Sequence, residues 1–238
     1  MKLDILAIGV HPDDVELGCA GTLLKHIELG KKVGILDLTR GELGTRGSGS
    51  LRVKEAEAAR KMMGALVRDN VKMKDGFFQH TEENLKKIAQ VIRKYQPEIV
   101  LTNALSDRHP DHARAAKLTS DACFIAGLAK VKTYDKKKLQ ERWRPKAVYH
   151  YIQDYTLHPD FVVDISPYMD KKLDLVLCFK SQFFNPKSNE LDSPISNKGF
   201  LDSVKAKNSV YGRIVGVDFA EGFNVARPMG IANLFDIF

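Results

Sequence analysis

Apolar residues along this chain fall in short blocks that alternate with helical stripes. The block Ile5-Leu6-Ala7-Ile8-Gly9-Val10 has five apolar residues in six, three of them β-branched, and predicts a strand covered on both faces, as in a parallel sheet. Helical spacing from Val15-Glu16-Leu17 through Leu23-Leu24 to Ile27 follows it. Val33 to Thr39 repeats the strand pattern, Leu51 to Gly64 reads as a helix with Ala56, Ala59, Met62 and Met63 on its packing face, and Leu66 to Val71 as a third strand. Thr81-Glu82-Glu83-Asn84 opens a helix with an N-cap threonine and early acids; Ile88, Val91, Ile92 and Tyr95 form its stripe and Pro97 stops it. Glu98 to Asn103 reads as a fourth strand, and Ala113 to Ala129 as the next helix. This βαβαβαβ order predicts an α/β fold, a Rossmann-like parallel sheet with right-handed crossovers and helices on both faces.

From Tyr134 the pattern loosens. A charged helix or linker around Lys136-Lys137-Lys138 precedes strands at Ala147 to Ile152 and Phe161 to Ile165, a helix from Pro167 to about Ser181, a polar loop from Asn185 to Asn197, and a helix from Lys198 to Tyr211. With 238 residues and no internal repeat, the expectation is one domain, a core over about residues 1–130 and a C-terminal extension over about 131–238. No run of apolar residues is long enough to span a membrane, so a cytoplasmic protein without a membrane partner is expected. Cys19, Cys123 and Cys178 are odd in number and never in Cys-x-x-Cys, which predicts buried free thiols and not disulfides or a thiolate metal site. The net charge of +7 comes from scattered basic residues without a recognition motif; it suits an anionic small molecule better than nucleic acid.

The chemistry sits where strands end. His11-Pro12-Asp13-Asp14 follows the first strand, and Asp107-Arg108-His109-Pro110-Asp111-His112 follows the fourth. In open α/β sheets, ligands bind outside the carboxyl ends of the strands. No Gly-x-Gly-x-x-Gly stands at the first turn; imidazole and carboxylate do, the donors of a divalent metal site. His11 and His112 with one carboxylate make the three-ligand set of a catalytic metal, and adjacent Asp13 and Asp14 can divide the work: one on the metal, its neighbour a general base toward water. His109 is then free to stabilise an oxyanion or to protonate a leaving nitrogen. The second strand exits into Arg40-Gly41-Glu42-Leu43-Gly44-Thr45-Arg46-Gly47-Ser48-Gly49, a loop with four glycines that lets backbone approach a ligand. A third tripeptide, His158-Pro159-Asp160, precedes a strand and is expected at the opposite sheet edge, as a turn.

Together, His11-Pro12-Asp13-Asp14, Gly41 to Gly47 and His109-Pro110-Asp111-His112 resemble the PIG-L (LmbE-like) family of zinc-dependent N-acetylglucosaminide deacetylases. Phe183-Phe184-Asn185-Pro186 and Ala220-Glu221-Gly222-Phe223 resemble its bacillithiol-forming branch, which deacetylates N-acetylglucosaminyl-malate. The resemblance implies zinc on His11, Asp14 and His112, Asp13 as general base, His109 facing the intermediate, and Asp111 orienting His109. It also implies substrate contacts from Arg52 and Glu42, and a homo-oligomer, often a hexamer. Arg46, Arg52 and Arg108 are the cations nearest the motifs and suit a bidentate grip on an anionic aglycone such as malate. Ferrous iron shares the two-histidine, one-carboxylate ligand set. The rival readings are a deacetylase for N-acetylglucosamine, chitobiose or a glycolipid precursor, and a metal-stabilised binding module without activity.

Overall fold

The computed structural model describes residues 1–186 and 188–236. Its first half alternates β1 (Ile5–Gly9), α1 (Asp14–Glu28), β2 (Val33–Asp37), α2 (Gly49–Met63), β3 (Val67–Asn70), α3 (Glu82–Tyr95), β4 (Ile99–Thr102) and α4 (Pro110–Ala126). The second half holds β5 (Tyr134–Asp135), β6 (Lys138–Leu139), β7 (Ala147–Tyr151), β8 (Phe161–Asp164), α5 (Met169–Val176), α6 (Phe200–Val215) and β9 (Ala220–Val225). Seven strands form one sheet in the order β3-β2-β1-β4-β7-β9-β8. The first five of these are mutually parallel, and β9 runs antiparallel to both of its neighbours. The sheet is therefore mostly parallel, as the βα alternation predicts.

Strand β1 shows why its sequence reads as a continuous apolar run. Leu6 and Ile8 point to one face and pack among residues of α3 and α4, including Ile88, Ile92 and Leu118. Ile5 and Ala7 point to the other, against Cys19, Leu23 and Tyr151. Alternate side chains thus feed separate cores, and each large aliphatic residue so buried contributes roughly 1.5–3 kcal/mol. Because β1 lies between β2 and β4, the exits of β1 and β4 are neighbours, and both His-Pro-Asp tripeptides open on one crevice.

Three local readings change. Helix α4 begins at Pro110, not Ala113, because proline at the first helical position lacks an N–H that would have no partner there; His109 becomes the N-cap. Asp111 and His112 consequently sit in a rigid first turn. The Lys136-Lys137 stretch is no helix: both residues are left-handed, at φ 46° and 67°, and close the β5–β6 hairpin. The helix expected from Pro167 to Ser181 is a 3-10 turn over Ser166–Tyr168 followed by the short α5. It stops early because Phe179 and Phe183 leave it to pack against Ala56 and Ala59 of α2. The three cysteines are free, Cys19 and Cys123 buried and Cys178 half-buried. No described helix is long and apolar enough to cross a membrane.

Helix α1 is broken in the middle, at Cys19 (φ −147°, ψ 18°). Beside the break, a Cβ on Gly18 would lie 2.2 Å from the Tyr151 ring, so only glycine lets α1 press onto β7 there. The interruption leaves backbone groups without helical partners, and a buried ion pair takes them up. Glu221 of β9 accepts hydrogen bonds from the amides of Gly21 at 3.0 Å and Thr22 at 2.7 Å. Lys172 of α5 donates to the Leu17 carbonyl at 2.8 Å and to Glu221 at 2.5 Å. With side chains 0% and 1% exposed, neither charge is met by water. Removing one partner of such a pair costs about 3–5 kcal/mol. Glu221→Gln is therefore expected to lower unfolding free energy by about that amount in a denaturant titration, with a smaller loss when Lys172→Met is added; a single variant of native stability would refute this role.

Candidate metal centre

Three strand exits supply the site. His11, Asp13 and Asp14 leave β1, His109 and His112 open α4 beyond β4, and Gln153 follows β7. The three imidazoles cluster: the His11 and His112 ring centroids are 5.7 Å apart, with His109 4.7 Å from His11 and 5.1 Å from His112. Nitrogens of His11, His109 and His112 lie within 4.8 Å of one another, as do donor atoms of His11, Asp75 and Asp111.

Asp14 is the hub. Its Oδ2 accepts from the His11 amide and from Asn103 Nδ2, both at 2.9 Å, and its Oδ1 from Gln153 Nε2 at 3.0 Å. One nitrogen of each histidine faces the same carboxylate: His112 Nε2 is 3.3 Å from Oδ1 and His11 Nδ1 is 3.8 Å from Oδ2. The opposite nitrogens are held from behind. His11 Nε2 bonds Asp75 Oδ1 at 3.0 Å, and His112 Nδ1 bonds Asp107 Oδ2 at 2.5 Å. A carboxylate behind an imidazole fixes its tautomer and turns its other nitrogen forward as a ligand, the arrangement found at metal centres. The residues therefore fit a divalent cation.

Electrostatics agree with that fit. Burial alone would depress the His11 pKa, yet the Asp111 carboxylate 3.6 Å from Nε2, the hydrogen bond to Asp75 and the charge of Asp14 outweigh it and raise it to about 10. For His112, burial is likewise overcome by Asp14 and Asp107, and the pKa rises to about 9. Asp14 resists burial through His112 and His11 and stays well below the usual carboxylate range. The carboxylates thus demand positive charge, which protons supply where a metal does not. His109 behaves differently: burial, then the charges of His11 and His112, lower its pKa. Its Nδ1 accepts from the Asp111 amide at 3.2 Å, which leaves Nε2 to carry the hydrogen of the neutral ring.

Asp13 has φ 130°, a conformation that costs an ordinary residue of order 1–3 kcal/mol and clusters at functional sites. Its Oδ1 lies 2.9 Å from Arg52 Nη2. Burial pushes its pKa up to about 7, against the pull of Arg52 and with the help of Asp14. Arg52 also donates to the carbonyls of Pro12 at 2.7 Å and Gly41 at 3.3 Å. Gly41 has φ +62°, and a Cβ there would stand 2.0 Å from Arg52 Nη1, so glycine is what admits the guanidinium.

These groups open on a cavity of about 460 Å³, within the range for small-molecule sites. Arg46, Arg52 and Arg108 line it, but each is already engaged. Arg52 holds Asp13, Arg108 is ion-paired with Asp154, and buried Arg46 donates to the Phe183 carbonyl at 3.4 Å with Nε 3.7 Å from Glu190. Glu42 does not line the cavity. It turns back to accept from the amides of Arg40 and Asp75, so it supports the residue behind His11. The carboxylate of Asp111 does not bond His109 either: it accepts from Gly76 N at 2.9 Å and Arg114 at 2.7 Å, and the backbone amide makes the His109 contact. His158-Pro159-Asp160 stands at the start of β8, where Asp160 holds the Val225 amide at 2.8 Å, away from the cavity as expected. His80 pairs with Asp121 on the surface.

Asp75, Asn103 and Gln153 carry no motif that marks them in the sequence, and Asp107, which opens the cluster after the fourth strand, has no role assigned to it there. Asp107 was within reach, since it precedes His112 by little more than a helical turn. Asp75, Asn103 and Gln153 follow β3, β4 and β7, and their signal is position alone, each a polar residue just past the carboxyl end of a parallel strand.

Residues 6–123 match the family described as GlcNAc-PI de-N-acetylase, PIG-L. The chain is 33% identical over 230 residues to a diacetylchitobiose deacetylase of Thermococcus kodakarensis, covering 92% of this chain and 81% of that protein. It is 27% identical over 193 residues to a 4-oxalmesaconate hydratase of Pseudomonas putida, covering 74% of this chain and 73% of the relative. A conserved protein from Thermus thermophilus has the same fold, with a TM-score of 0.86, 35% identity and 98% of each chain covered. An α/β sheet whose β1 and β4 exits gather three histidines and a locked aspartate, together with this degree of identity over nearly the whole length, makes the chain a member of the PIG-L family of enzymes.

Proposed function

We propose that the chain is a metal-dependent N-deacetylase acting on an N-acetylglucosaminide. The observation that carries this reading is the pair of forward-facing imidazole nitrogens, His11 Nδ1 and His112 Nε2, converging on Asp14 with Asp75 and Asp107 behind them. In this reading His11, Asp14 and His112 hold the metal, zinc by resemblance, with ferrous iron compatible with the same donors. The metal, when bound, acts as a Lewis acid toward the acetamide carbonyl and lowers the pKa of water.

The remaining chemistry belongs to the chain. Arg52 grips Oδ1 of Asp13 and leaves Oδ2 for the attacking water, whose proton Asp13 accepts; a carboxyl pKa raised to about 7 makes it a competent base near neutrality. Neutral His109, with Nδ1 satisfied by the Asp111 amide, offers its Nε2 hydrogen to the charge developing on the carbonyl oxygen. The C–N bond then breaks, the proton passes to the amine, and acetate leaves. Neighbouring Asp13 distinguishes this site from a bare metal-binding module, which needs no base held in a strained backbone.

N-acetylglucosaminyl-malate is the substrate we favour, because cations line the cavity and the C-terminal motifs resemble the bacillithiol branch. Diacetylchitobiose is the second reading, favoured by the Thermococcus relative. Acetate release from the two, with N-acetylglucosamine as a third substrate, separates them: the malate conjugate is expected to have the highest kcat/KM, and preference for a neutral sugar would reverse the order.

Asp13→Asn is expected to keep the metal stoichiometry while acetate release falls about 10²- to 10⁴-fold; near-normal turnover would remove Asp13 from the base role. With folded-state pKa values of about 10 and 9, His11 and His112 are protonated at neutral pH in the metal-free protein. Metal binding must expel those protons, so affinity is expected to weaken as pH falls. Titration calorimetry in buffers of different ionisation enthalpy measures the release, and binding without proton release would exclude the two histidines as ligands.

A further inference from the structure

The cavity has a fourth cation, and its situation differs from the other three. Helix α6 turns one face to the cavity, formed by Phe200, Ser203, Val204 and Lys207. Their spacing of three, one and three residues is the stripe a helix presents along a single side. Lys207 ends that stripe and is partly buried. Among the described residues no carboxylate lies within ion-pair distance of its ammonium, and it makes no hydrogen bond to any of them. Asp107, Asp154 and Glu221 act on it only at longer range, while burial and the positive charge of Lys172 bring its pKa down to about 8. By contrast Arg52, Arg108 and Arg46 already have partners. A partly desolvated ammonium with no counter-ion is costly, and its cost is relieved by whatever anion enters the cavity.

We infer that Lys207 is the specificity-determining residue of this enzyme, binding a carboxylate or phosphate on the aglycone of the substrate. The inference rests on the deacetylase reading for the reaction but not for the anion site itself. It shifts anion recognition away from the arginines of the motif loops to a helix of the C-terminal extension. An unpaired lysine is a point charge with freely rotating donors and accepts either anion. Its field also favours an anionic substrate over a neutral one before contact is made.

The test compares metal-loaded wild type, Lys207→Met and Lys207→Arg in acetate release from N-acetylglucosaminyl-malate and from neutral diacetylchitobiose. In Lys207→Met the ratio of kcat/KM for the anionic over the neutral substrate is expected to fall about 10- to 100-fold, the range for loss of one charge-assisted contact. The fall should lie mainly in KM, and Lys207→Arg should restore a large part of it. A ratio unchanged within about twofold, whether both activities survive or both decline together, would overturn the assignment, because a merely structural lysine moves the two substrates alike. If wild type releases acetate from neither substrate, the deacetylase reading has failed separately, and calorimetric titration with malate and with inorganic phosphate decides the anion site. Binding of either anion to wild type and its loss in Lys207→Met sustains the inference, and the anion that binds identifies the chemistry. No binding to wild type, or equal binding to the variant, overturns it.

Discussion

A single buried carboxylate, Asp14, fixes the relation between the strand exits on which the candidate chemistry depends. It takes hydrogen bonds from the backbone at the end of β1, from Asn103 beyond β4 and from Gln153 beyond β7. One imidazole nitrogen of each of His11 and His112 faces it. Removing a carboxylate from water is expensive, and the expense is offset only where donors surround it. Asp14 has those donors from the chain itself, so the geometry of the candidate site is organised by the fold.

Placing so much charge at one end of a sheet requires ionic support beneath it. Arg68 of β3 makes a bidentate contact with Asp37 at 2.8 and 2.9 Å and reaches Glu16 of α1 at 2.6 Å. This network sits under the same first turn of α1 that carries Asp14. Lys172 and Glu221 satisfy the break in that helix a turn later. The two clusters hold the short leading segment of α1 from below and behind. Buried ion pairs are weak sources of net stability but strong constraints on geometry, since any displacement exposes an uncompensated charge. Here that constraint keeps Asp13 and Asp14 facing the crevice.

The same view explains the C-terminal motifs. Ala220-Glu221-Gly222-Phe223 does not line the cavity: Glu221 caps the broken helix, and Phe223 stacks on Phe161 with centroids 5.1 Å apart. Phe183 packs on Phe200 and so helps to seat the helix whose inner face lines the cavity. These motifs carry architecture, and Phe183 bears on the cavity only through where α6 lies.

Most of the parallel half of the fold was legible in the sequence, because strand and helix periodicities are local and a buried parallel strand leaves an unbroken apolar run. His11, Asp13 and Asp14 were legible as candidates because they stand directly after a recognisable strand, and His109 and His112 because they open the helix that follows the fourth strand. The sequence could not show that the carboxylates behind the imidazoles are Asp75 and Asp107, that Glu42 faces away from the cavity, or that Asp111 meets His109 through its amide. Those are matters of where side chains from separate turns meet, and no local pattern encodes them. Nor could it distinguish Lys207 from the other lysines of the chain. A lysine acquires meaning from the carboxylates it fails to meet, and only the packing of α6 against β8 and β9 decides which ones those are.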